Sequence, residues 1–594
     1  MQKFAGACSR PDSVEPMPAA ASSSQPADSP SSPAPPQTDD AALIAALRQD
    51  LVQAGFTNEG VADLLGEDAV AAMSREQVVP GQLRVLEALA DPAGEPTDPR
   101  WACAVLTGLW LTAVEVTAEQ VDAALPRIGV QGLQQLGLAA VRPADDSAER
   151  ATVVVLRADL RPYQIEGFSD GGADLWVVSD LSAHQLAGAL PRDHVLGLGQ
   201  ASLTLATSTH RRPAAAALDI GTGCGIQLLH LLGHCDHVTG TDVSVRALQF
   251  ARFNLLLNAD ALHLDPDRLS DRVELLHGSL LEPVVGRSFD LVVSNPPFVI
   301  TPRSAAEAAS DRYTYRDGGR EGDALMAELI AGIPEVLNPG ATVQMLGNWE
   351  VHTTERSRSS GSPVPSNGAE AQEPSSPHLS SDAADWTERP RQWIEDSGLH
   401  AWFIQRDSQT PSEYAETWLR DASEERGIGE YRRRYAQYLA DFHARGVGRI
   451  GFGLIWLKRP ESGAARSASA PRHRLEELLG PVEQPLGPVI GETASRMGES
   501  ADSVMDRHLV VPESVTEERY QHFGSEHPEV IIARQGGGLR RARPISSAAA
   551  GFLAAADGDF SAAELVTAVC SLTQTEEFVL QEEVLDLYVE GFLT

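Results

Sequence analysis

The chain is 594 residues long and carries a formal net charge of −36 at pH 7, with 42% hydrophobic residues. This length exceeds what one hydrophobic core supports and predicts roughly two to four domains. So acidic a chain would be repelled from phosphates at long range, which argues against non-specific coating of nucleic acid but leaves room for a local basic groove.

Neither export nor membrane insertion is indicated by the sequence. The longest apolar stretch, residues 101–114, is shorter than the roughly 18–20 residues that a membrane-spanning helix needs. The segment before Cys8 has no apolar core, so it is a poor match to a signal peptide. The five cysteines are scattered and include no Cys-x-x-Cys pair, so neither a disulfide framework nor a metal site is predicted. We expect a cytoplasmic protein with no membrane contact.

The N-terminal third divides into a tail and a helical domain. Residues 1–38 are rich in Ser, Pro and Ala with few large apolar side chains, which predicts a disordered tail. Apolar residues take helical spacing from Asp39, and helices followed by two strands, residues 152–156 and 175–178, predict an N-terminal domain over residues 39–190. A hairpin of these two strands would make the domain winged-helix-like. Such domains bind nucleic acid or proteins, and the sequence favours neither.

Strands and helices alternate from Ala214 onward, which predicts a parallel sheet covered by helices. The predicted strands are residues 214–220, 238–242, 272–277, 289–294, 342–347, 401–405 and 450–457. The α/β domain is predicted over residues 191–458, with a disordered insertion at 353–383 and the last of these strands completing the sheet. Residues 459–473 are interpreted as a linker, and residues 474–594 as a smaller α+β C-terminal accessory domain.

A glycine-rich turn follows the first predicted strand of the sheet. Asp219 precedes Gly221, Gly223 and Gly225, which are spaced Gly-x-Gly-x-Gly at a strand-to-helix junction. Glycines at such a turn permit positive φ and let a ligand approach the backbone closely. Dinucleotide enzymes place pyrophosphate at a similar turn, although their glycines follow a different spacing. Asp242 ends the next strand, where a carboxylate can accept hydrogen bonds from both hydroxyls of a ribose or serve only as a turn residue.

A rigid polar loop follows the fourth predicted strand, with the sequence Asn295-Pro296-Pro297-Phe298. The side-chain oxygen of Asn295 and the carbonyl of Pro296 can both accept hydrogen bonds from one NH2 group, which would orient a weakly nucleophilic nitrogen. The prolines stiffen the loop, and Phe298 offers a face on which a planar group can stack. A proline-rich turn with a buried phenylalanine is the structural alternative. A dinucleotide oxidoreductase would have no use for this loop.

In combination, these motifs resemble those of class I S-adenosylmethionine-dependent methyltransferases of the Asn-Pro-Pro-Phe/Tyr amino-methyltransferase group, over about residues 195–346. This group includes small-domain ribosomal RNA methyltransferases and release-factor glutamine methyltransferases. The resemblance implies an α/β, Rossmann-like domain with a seven-stranded sheet and S-adenosyl-L-methionine as cofactor. It implies cofactor-binding roles for Asp219, Gly221, Gly223, Gly225, Asp242, Ser279 and Asn295, and catalytic roles for Asn295, Pro296, Pro297 and Phe298.

Three further segments bear on the resemblance. Ser279 stands where the family often has an aspartate that binds the adenine amino group of the cofactor, and a serine is a weaker partner. Residues 196–202 stand where the family has a loop that closes over cofactor and target. The glycine-rich residues 315–323 resemble a segment of release-factor glutamine methyltransferases, whereas Phe298 is commoner in ribosomal RNA methyltransferases.

These features give three hypotheses for the function. The first is an N-methyltransferase that acts on an exocyclic amino group of a nucleic acid base, with RNA as partner. Arginine clusters at residues 211–212, 432–434 and 540–543 could guide phosphates in this otherwise acidic chain. The second is a methyltransferase for a glutamine side chain of a protein, and the third is an inactive binding protein of the same fold. The sequence alone favours the first.

Overall fold

The computed structural model describes residues 32–90, 98–144, 152–166, 172–182, 185–186, 190–303, 317–353, 385–395, 397–421, 428–461 and 472–594. Most of the predicted disordered tail, all of the predicted insertion at 353–383 except residue 353, and most of the predicted linker at 459–473 lie outside these ranges. The structure does not address the predictions for the parts that lie outside.

Seven helices open the described part of the chain. The Asp40 side chain caps the first helix by accepting a hydrogen bond from the N–H of Leu43 at 2.9 Å, and Gly55, at φ +60°, follows the end of that helix. A π-helical segment, Thr107–Thr112, continues the fifth helix. The helices are α1 Ala41–Gln53, α2 Asn58–Leu65, α3 Glu67–Met73, α4 Val79–Ala90, α5 Pro99–Leu106, α6 Ala118–Ala124 and α7 Gly129–Gln135.

Two separate antiparallel hairpins follow the helices. They pair β1 Ala139–Pro143 with β2 Thr152–Leu156, and β3 Asp159–Glu166 with β4 Gly172–Ser179. The predicted winged-helix hairpin of residues 152–156 with 175–178 is therefore wrong, because each of those strands has a different partner. Both partner strands contain a proline, which lacks a backbone donor and normally argues against a strand. That is why the sequence did not reveal them.

A mixed sheet of eight strands forms the centre of the molecule, in the order β12-β10-β11-β9-β8-β5-β6-β7. The strands are β5 Ala214–Ile220, β6 Cys235–Asp242, β7 Val273–His277, β8 Phe289–Ser294, β9 Leu337–His352, β10 His400–Gln409, β11 Val447–Lys458 and β12 His473–Glu477. The helices between them are α8 Gln200–Ser208, α9 Ile226–Leu231, α10 Val245–Leu257, α11 Ala324–Gly332, α12 Glu388–Glu395, α13 Pro411–Asp421 and α14 Ile428–Ala444. The α/β class is as predicted.

Strand count and strand order differ from the prediction. The sheet has eight strands rather than seven, and β11 lies between β9 and β10, antiparallel to both, instead of ending the sheet. The edge strand is β12, which pairs in parallel with β10 and begins at the last residue of the predicted linker. Its sequence, His-Arg-Leu-Glu-Glu, is short and polar, so it carries no alternation that would predict a strand.

The N-terminal helices and the α/β domain share one apolar core. Phe56 from the N-terminal helices, Trp176 from β4 and Phe253 from α10 are each at most 2% exposed and belong to one contiguous cluster. The two predicted domains are therefore packed together through buried side chains rather than joined by a free linker.

The C-terminal elements pack against the β12 edge of the sheet. They are α15 Gly487–Arg496, α16 Ala501–Met505, β13 Val515–Tyr520, β14 Val530–Gln535, β15 Ala542–Ile545, α17 Ser547–Ala555, α18 Ala562–Thr573 and α19 Glu577–Glu590. Arg541 pairs with Glu476 of β12 at 2.8 Å and donates to the carbonyl of Glu590 at 2.8 Å. Its guanidinium also lies over the ring of Trp402, 5.7 Å from the centroid. These contacts hold the C-terminal domain to the sheet.

The topology brings three loops to one edge of the sheet. Strand β5 lies between β6 and β8, and all three run parallel, so the loops that follow them leave from the same edge on both sides of β5. Ligands of open α/β sheets bind at such a switch in strand order. No helix among the described residues is both long and apolar enough to cross a membrane.

Candidate active site

A cavity of about 380 Å³ lies at the carboxyl ends of β5, β6 and β8. It brings together the three motifs that the sequence singled out, although they lie up to 76 residues apart (Asp219 to Asn295). The residues named in the sequence analysis that line it are Gly221, Gly223, Asp242, Ser279, Asn295, Pro296 and Pro297. Asp219, Gly225 and Phe298 are near the cavity but do not line it.

The glycine turn forms one wall of the cavity. The N–H groups of Gly221 and Thr222 both donate to the carbonyl of Thr241, each at 2.9 Å, which fastens the turn to the end of β6. Gly221 has φ +73°, a backbone conformation that favours glycine. As a glycine, it presents backbone and no side chain to the cavity. Gly225 is set back, at φ +94°, and caps α9; a Cβ there would lie 3.3 Å from the Cβ of Ala251. The turn therefore leaves exposed backbone for a ligand and packs closely on α10.

Asp242 organises the same wall from the end of β6. One carboxylate oxygen accepts from the N–H of Gly223 at 2.9 Å, and the other accepts from the N–H of Ser244 at 2.7 Å. Burial raises the pKa of this carboxyl group, while the two backbone hydrogen bonds oppose the rise. The structural and ligand-binding interpretations are thus compatible, because Asp242 lines the cavity and each of its oxygens can accept more than one hydrogen bond.

Asp219 lies beneath the cavity rather than on its wall. It is 1% exposed, and the hydroxyl of Thr222, which does line the cavity, donates to one of its oxygens at 2.6 Å. Its second oxygen is buried and has no hydrogen-bond partner among the described residues. Burial raises the pKa of Asp219 to about 7, against the opposing effect of the Thr222 hydrogen bond. Such an orphaned carboxylate fits a site that receives a cationic ligand group nearby.

The loop after β8 forms the adjoining wall, where a Cβ added at Gly221 would lie 3.9 Å from the backbone oxygen of Asn295. Asn295, Pro296 and Pro297 line the cavity, and the carbonyl of Pro296 accepts a hydrogen bond from the N–H of Phe298 at 2.7 Å. This bond fixes the turn and leaves the second lone pair of the carbonyl available. Phe298 is not among the residues that line the cavity, and its ring is partly buried against two apolar clusters. The predicted stacking face is therefore absent from the cavity wall.

Comparisons with known proteins agree with this geometry. Residues 195–311 match the family model described as methyltransferase small domain, and residues 53–151 match a domain of unknown function (DUF7059). A release factor glutamine methyltransferase of Geobacter sulfurreducens is 36% identical over 147 residues, which cover 24% of this chain and 48% of that protein. A ribosomal protein uL3 glutamine methyltransferase of Xanthomonas campestris pv. campestris is 31% identical over 150 residues, or 24% of this chain and 44% of that protein.

The family match covers the glycine turn, Asp242 and the Asn295 loop together. The chain contains a class I methyltransferase domain of the small-domain type. It spans about half the length of these two curated relatives. A ribosomal protein L11 methylase of Lactobacillus delbrueckii subsp. bulgaricus is a structural neighbour at 21% identity, covering 26% of this chain and 60% of that one with a TM-score of 0.18. A score this low carries no weight for the fold.

Two further segments of the methyltransferase domain complete the cavity. Residues 194–197 and Ser202 line it, which includes part of the predicted closing loop at 196–202. Residues 317–320 line it from the other side, and Asp317 is held there by an ion pair with Arg303 and by the N–H of Gly319 at 2.9 Å. Residues 315 and 316 of the glycine-rich segment lie outside the described ranges. His194 was missed, because a lone histidine in a loop gives no sequence signal.

The three arginine clusters of the methyltransferase and its neighbouring domains are largely engaged within the protein. Arg211 contacts His230 at 3.0 Å, and Arg212 donates to the backbone carbonyl of Asp290. Arg433 and Arg434 both pair with Glu430 on their own helix. The cluster at residues 540–543 holds the C-terminal domain through Arg541, and Arg543 pairs with Glu590 at 2.8 Å. Most of the charges predicted to guide phosphates thus form ion pairs or hydrogen bonds within the chain itself.

Asp219 gives a pH-dependent prediction for the ligand-free methyltransferase. Because its pKa is raised in the folded protein, the folded state holds the proton more tightly than the unfolded chain. The free energy of unfolding should therefore fall as pH rises from the ordinary pKa of 3.8 to about 7. Asparagine cannot titrate and still accepts from Thr222, so Asp219→Asn should be more stable than the wild type at neutral pH.

Urea unfolding of both proteins between pH 4 and pH 8 would check this prediction. The stability difference between Asp219→Asn and the wild type should grow with pH across that window and then level off. Parallel pH profiles of the two proteins would contradict it, since Asp219 would then titrate alike in the folded and unfolded chains.

Proposed function

We propose that the protein is an S-adenosylmethionine-dependent N-methyltransferase whose target is the side-chain amide of a glutamine in another protein. The observation that carries the proposal is that Asn295 and Pro296 line the same cavity as the glycine turn and Asp242, with the loop after β8 next to that turn. A cofactor held by the turn and Asp242 would lie beside an NH2 group held by Asn295 and Pro296. The site thus has the two halves that methyl transfer to nitrogen requires.

Cofactor binding is assigned to the first wall. Gly221 and Gly223 would leave backbone available to the cofactor, Asp242 would accept hydrogen bonds from its ribose hydroxyls, and Asp219 would balance its cationic amino group through Thr222. Ser279 lines the cavity and would lie beside the adenine, where a hydroxyl can still accept or donate. When bound, the cofactor supplies a methyl group attached to a positively charged sulfur, and that sulfur keeps the electrons of the C–S bond when the bond breaks.

Catalysis is assigned to orientation of the target nitrogen. Amide nitrogen is a poor nucleophile because its lone pair is delocalised into the carbonyl. The side-chain oxygen of Asn295 and the free lone pair of the Pro296 carbonyl would accept the two N–H bonds of the target. That arrangement would turn the nitrogen lone pair toward the methyl group and stabilise the positive charge that develops on nitrogen. The nitrogen then loses one proton to solvent as the amide is restored.

Glutamine is favoured over a nucleic acid base by two observations. A base would need a stacking surface, and Phe298, the residue predicted to supply it, does not line the cavity. The matched relatives are named as glutamine methyltransferases of release factors and of a ribosomal protein. The RNA hypothesis, which the sequence alone favoured, now rests mainly on the exposed Arg432 and Arg433 of α14.

The test incubates the purified protein with S-adenosylmethionine that carries a radioactive methyl group. Separate reactions contain total protein and total RNA from cells that lack the gene, so that natural target sites are unmodified. The expected result is label in a discrete protein band, with the methyl group mapped to a glutamine by mass spectrometry. Label confined to RNA would overturn the glutamine proposal in favour of the first hypothesis. Absence of label together with no binding of S-adenosylhomocysteine would support an inactive protein instead.

The cytoplasmic location of the protein stays a prediction from the sequence.

A further inference from the structure

Helix α10 holds strand β4 of the N-terminal domain by side-chain amides that imitate a neighbouring strand. Asn254 accepts from the N–H of Val178 at 2.7 Å and donates to the carbonyl of the same residue at 2.9 Å. Asn258, one turn later, does the same with Trp176, at 2.9 Å and 2.8 Å. Both asparagines are fully buried. Residues two apart on a strand face the same way, as do residues four apart on a helix, so the two amides match the spacing of β4.

The third hydrogen bond distinguishes the two asparagines. The Asn254 amide also donates to the carbonyl of Cys224, inside the glycine turn, at 2.8 Å. The Asn258 amide instead donates to the carbonyl of Asn254 in its own helix, also at 2.8 Å. Only Asn254 therefore connects the N-terminal domain to the turn that lines the cavity.

A second contact, from the residue that follows β4, reaches another segment that lines the cavity. Asp180 directly follows β4, and its carboxylate accepts from the N–H of Val195 at 2.8 Å while its own N–H donates to the Val195 carbonyl at 3.1 Å. The same carboxylate forms an ion pair with Arg246 of α10. Val195 lines the cavity with its neighbours His194 and Leu196. The segment over the cavity is thus held by a residue of the N-terminal domain.

We infer that the β3–β4 hairpin of the N-terminal domain is part of the support of the cofactor cavity, with Asn254 and Asp180 as positioning residues. The Asn254 contact positions the carbonyl of Cys224 in the glycine turn, and the Asp180 contact positions residues 194–196, which also line the cavity. The N-terminal domain is then needed for cofactor affinity itself, in addition to any role in substrate choice. This inference rests on the proposed identity of the cavity as the cofactor site.

The experiment compares matched pairs of variants in the full-length protein. Asn254→Ala and Asn258→Ala each remove three buried hydrogen bonds, two of them to β4, but only the first frees the glycine turn. Binding of S-adenosylhomocysteine is measured by calorimetry, and thermal unfolding is measured in parallel. We expect both variants to lose similar stability. The Kd should rise about 10-fold or more for Asn254→Ala and by less than about 3-fold for Asn258→Ala, because only one of them loses a hydrogen bond that shapes the site.

A second pair covers residues 194–196 and guards against an unfolded Asn254 variant. Asp180→Ala removes the acceptor for Val195, whereas Asp159→Ala removes a similarly buried carboxylate at the same end of the hairpin, whose ion pair at 2.7 Å is with Arg161 rather than with a residue that lines the cavity. A higher Kd for Asp180→Ala than for Asp159→Ala supports the inference. Equal changes in Kd within the folded pairs would overturn it and leave the proposed function intact. Failure of the wild-type protein to bind S-adenosylhomocysteine would overturn both.

Discussion

Replacement of Asn295 by alanine is expected to lower kcat by about 10²–10³-fold, the usual cost of removing one preorganised hydrogen-bonding group from a reacting centre. Asn295 lines the cavity at the end of β8, where its side-chain oxygen would hold the target NH2 group. Cofactor affinity should change little, since the glycine turn and Asp242, which are assigned to the cofactor, keep their own hydrogen bonds in this variant. The measurements are single-turnover methylation of unmodified cell protein and calorimetry with S-adenosylhomocysteine.

The matched control for this variant is Asn338→Ala. Asn338 also has a partly buried amide, which donates to the Asp290 carboxylate at 2.8 Å, but it lies at the start of β9, at the opposite end of the sheet. Its removal tests the effect of losing an amide contact in the same sheet without touching the cavity. If Asn295→Ala methylated at a rate near that of Asn338→Ala, the catalytic role of the loop would have to be abandoned.

Replacement of Asp242 by alanine should raise the Kd for S-adenosylhomocysteine by at least about 100-fold. The change leaves the N–H groups of Gly223 and Ser244 without their buried acceptor, and each such loss costs about 1–3 kcal/mol. It also removes the proposed acceptor for the ribose hydroxyls. The loop geometry and the ligand contact are thus lost together, so this is the largest effect on binding that we expect from one substitution.

Asp236→Ala serves as the control for Asp242→Ala. Asp236 is an exposed carboxylate on the same strand, β6, at the end away from the cavity. It has the same formal charge, so comparison of the two variants removes any general effect of net charge on binding. A Kd for Asp242→Ala within about 3-fold of that for Asp236→Ala would show that Asp242 is a turn residue and not a cofactor ligand.

The sequence led to two predictions about the substrate, the kind of group that is bound and the class of molecule that carries it, and the structure bears on them differently. Asn295-Pro296-Pro297 predicted a site for an NH2 group, and the structure places all three residues on the cavity wall. The choice of RNA depended on Phe298 and on arginine clusters, and those are the features whose surroundings the sequence could not specify. The relatives favour the protein alternative instead.

The local chemistry of the site was determined by the sequence alone. Gly221 and its neighbouring glycines mark a turn because only glycine adopts positive φ without strain, and Asp242 stands at the end of the predicted strand that follows the turn. Strands β5 and β8 were predicted with their observed bounds, since each is a short, mostly apolar segment followed by turn residues. Such signals are carried by neighbouring residues and need no knowledge of the rest of the chain.

Only the tertiary structure decided which distant elements meet. The insertion of β11 between β9 and β10, the recruitment of the polar strand β12 and the pairing of β4 with α10 through Asn254 depend on partners far away in sequence. Side-chain surroundings were likewise settled by packing, which buries Phe298 partly among apolar residues outside the cavity lining and lets Arg541 hold the C-terminal domain. Propensity and spacing describe one segment at a time, whereas these features arise from the burial and hydrogen bonding of two segments together.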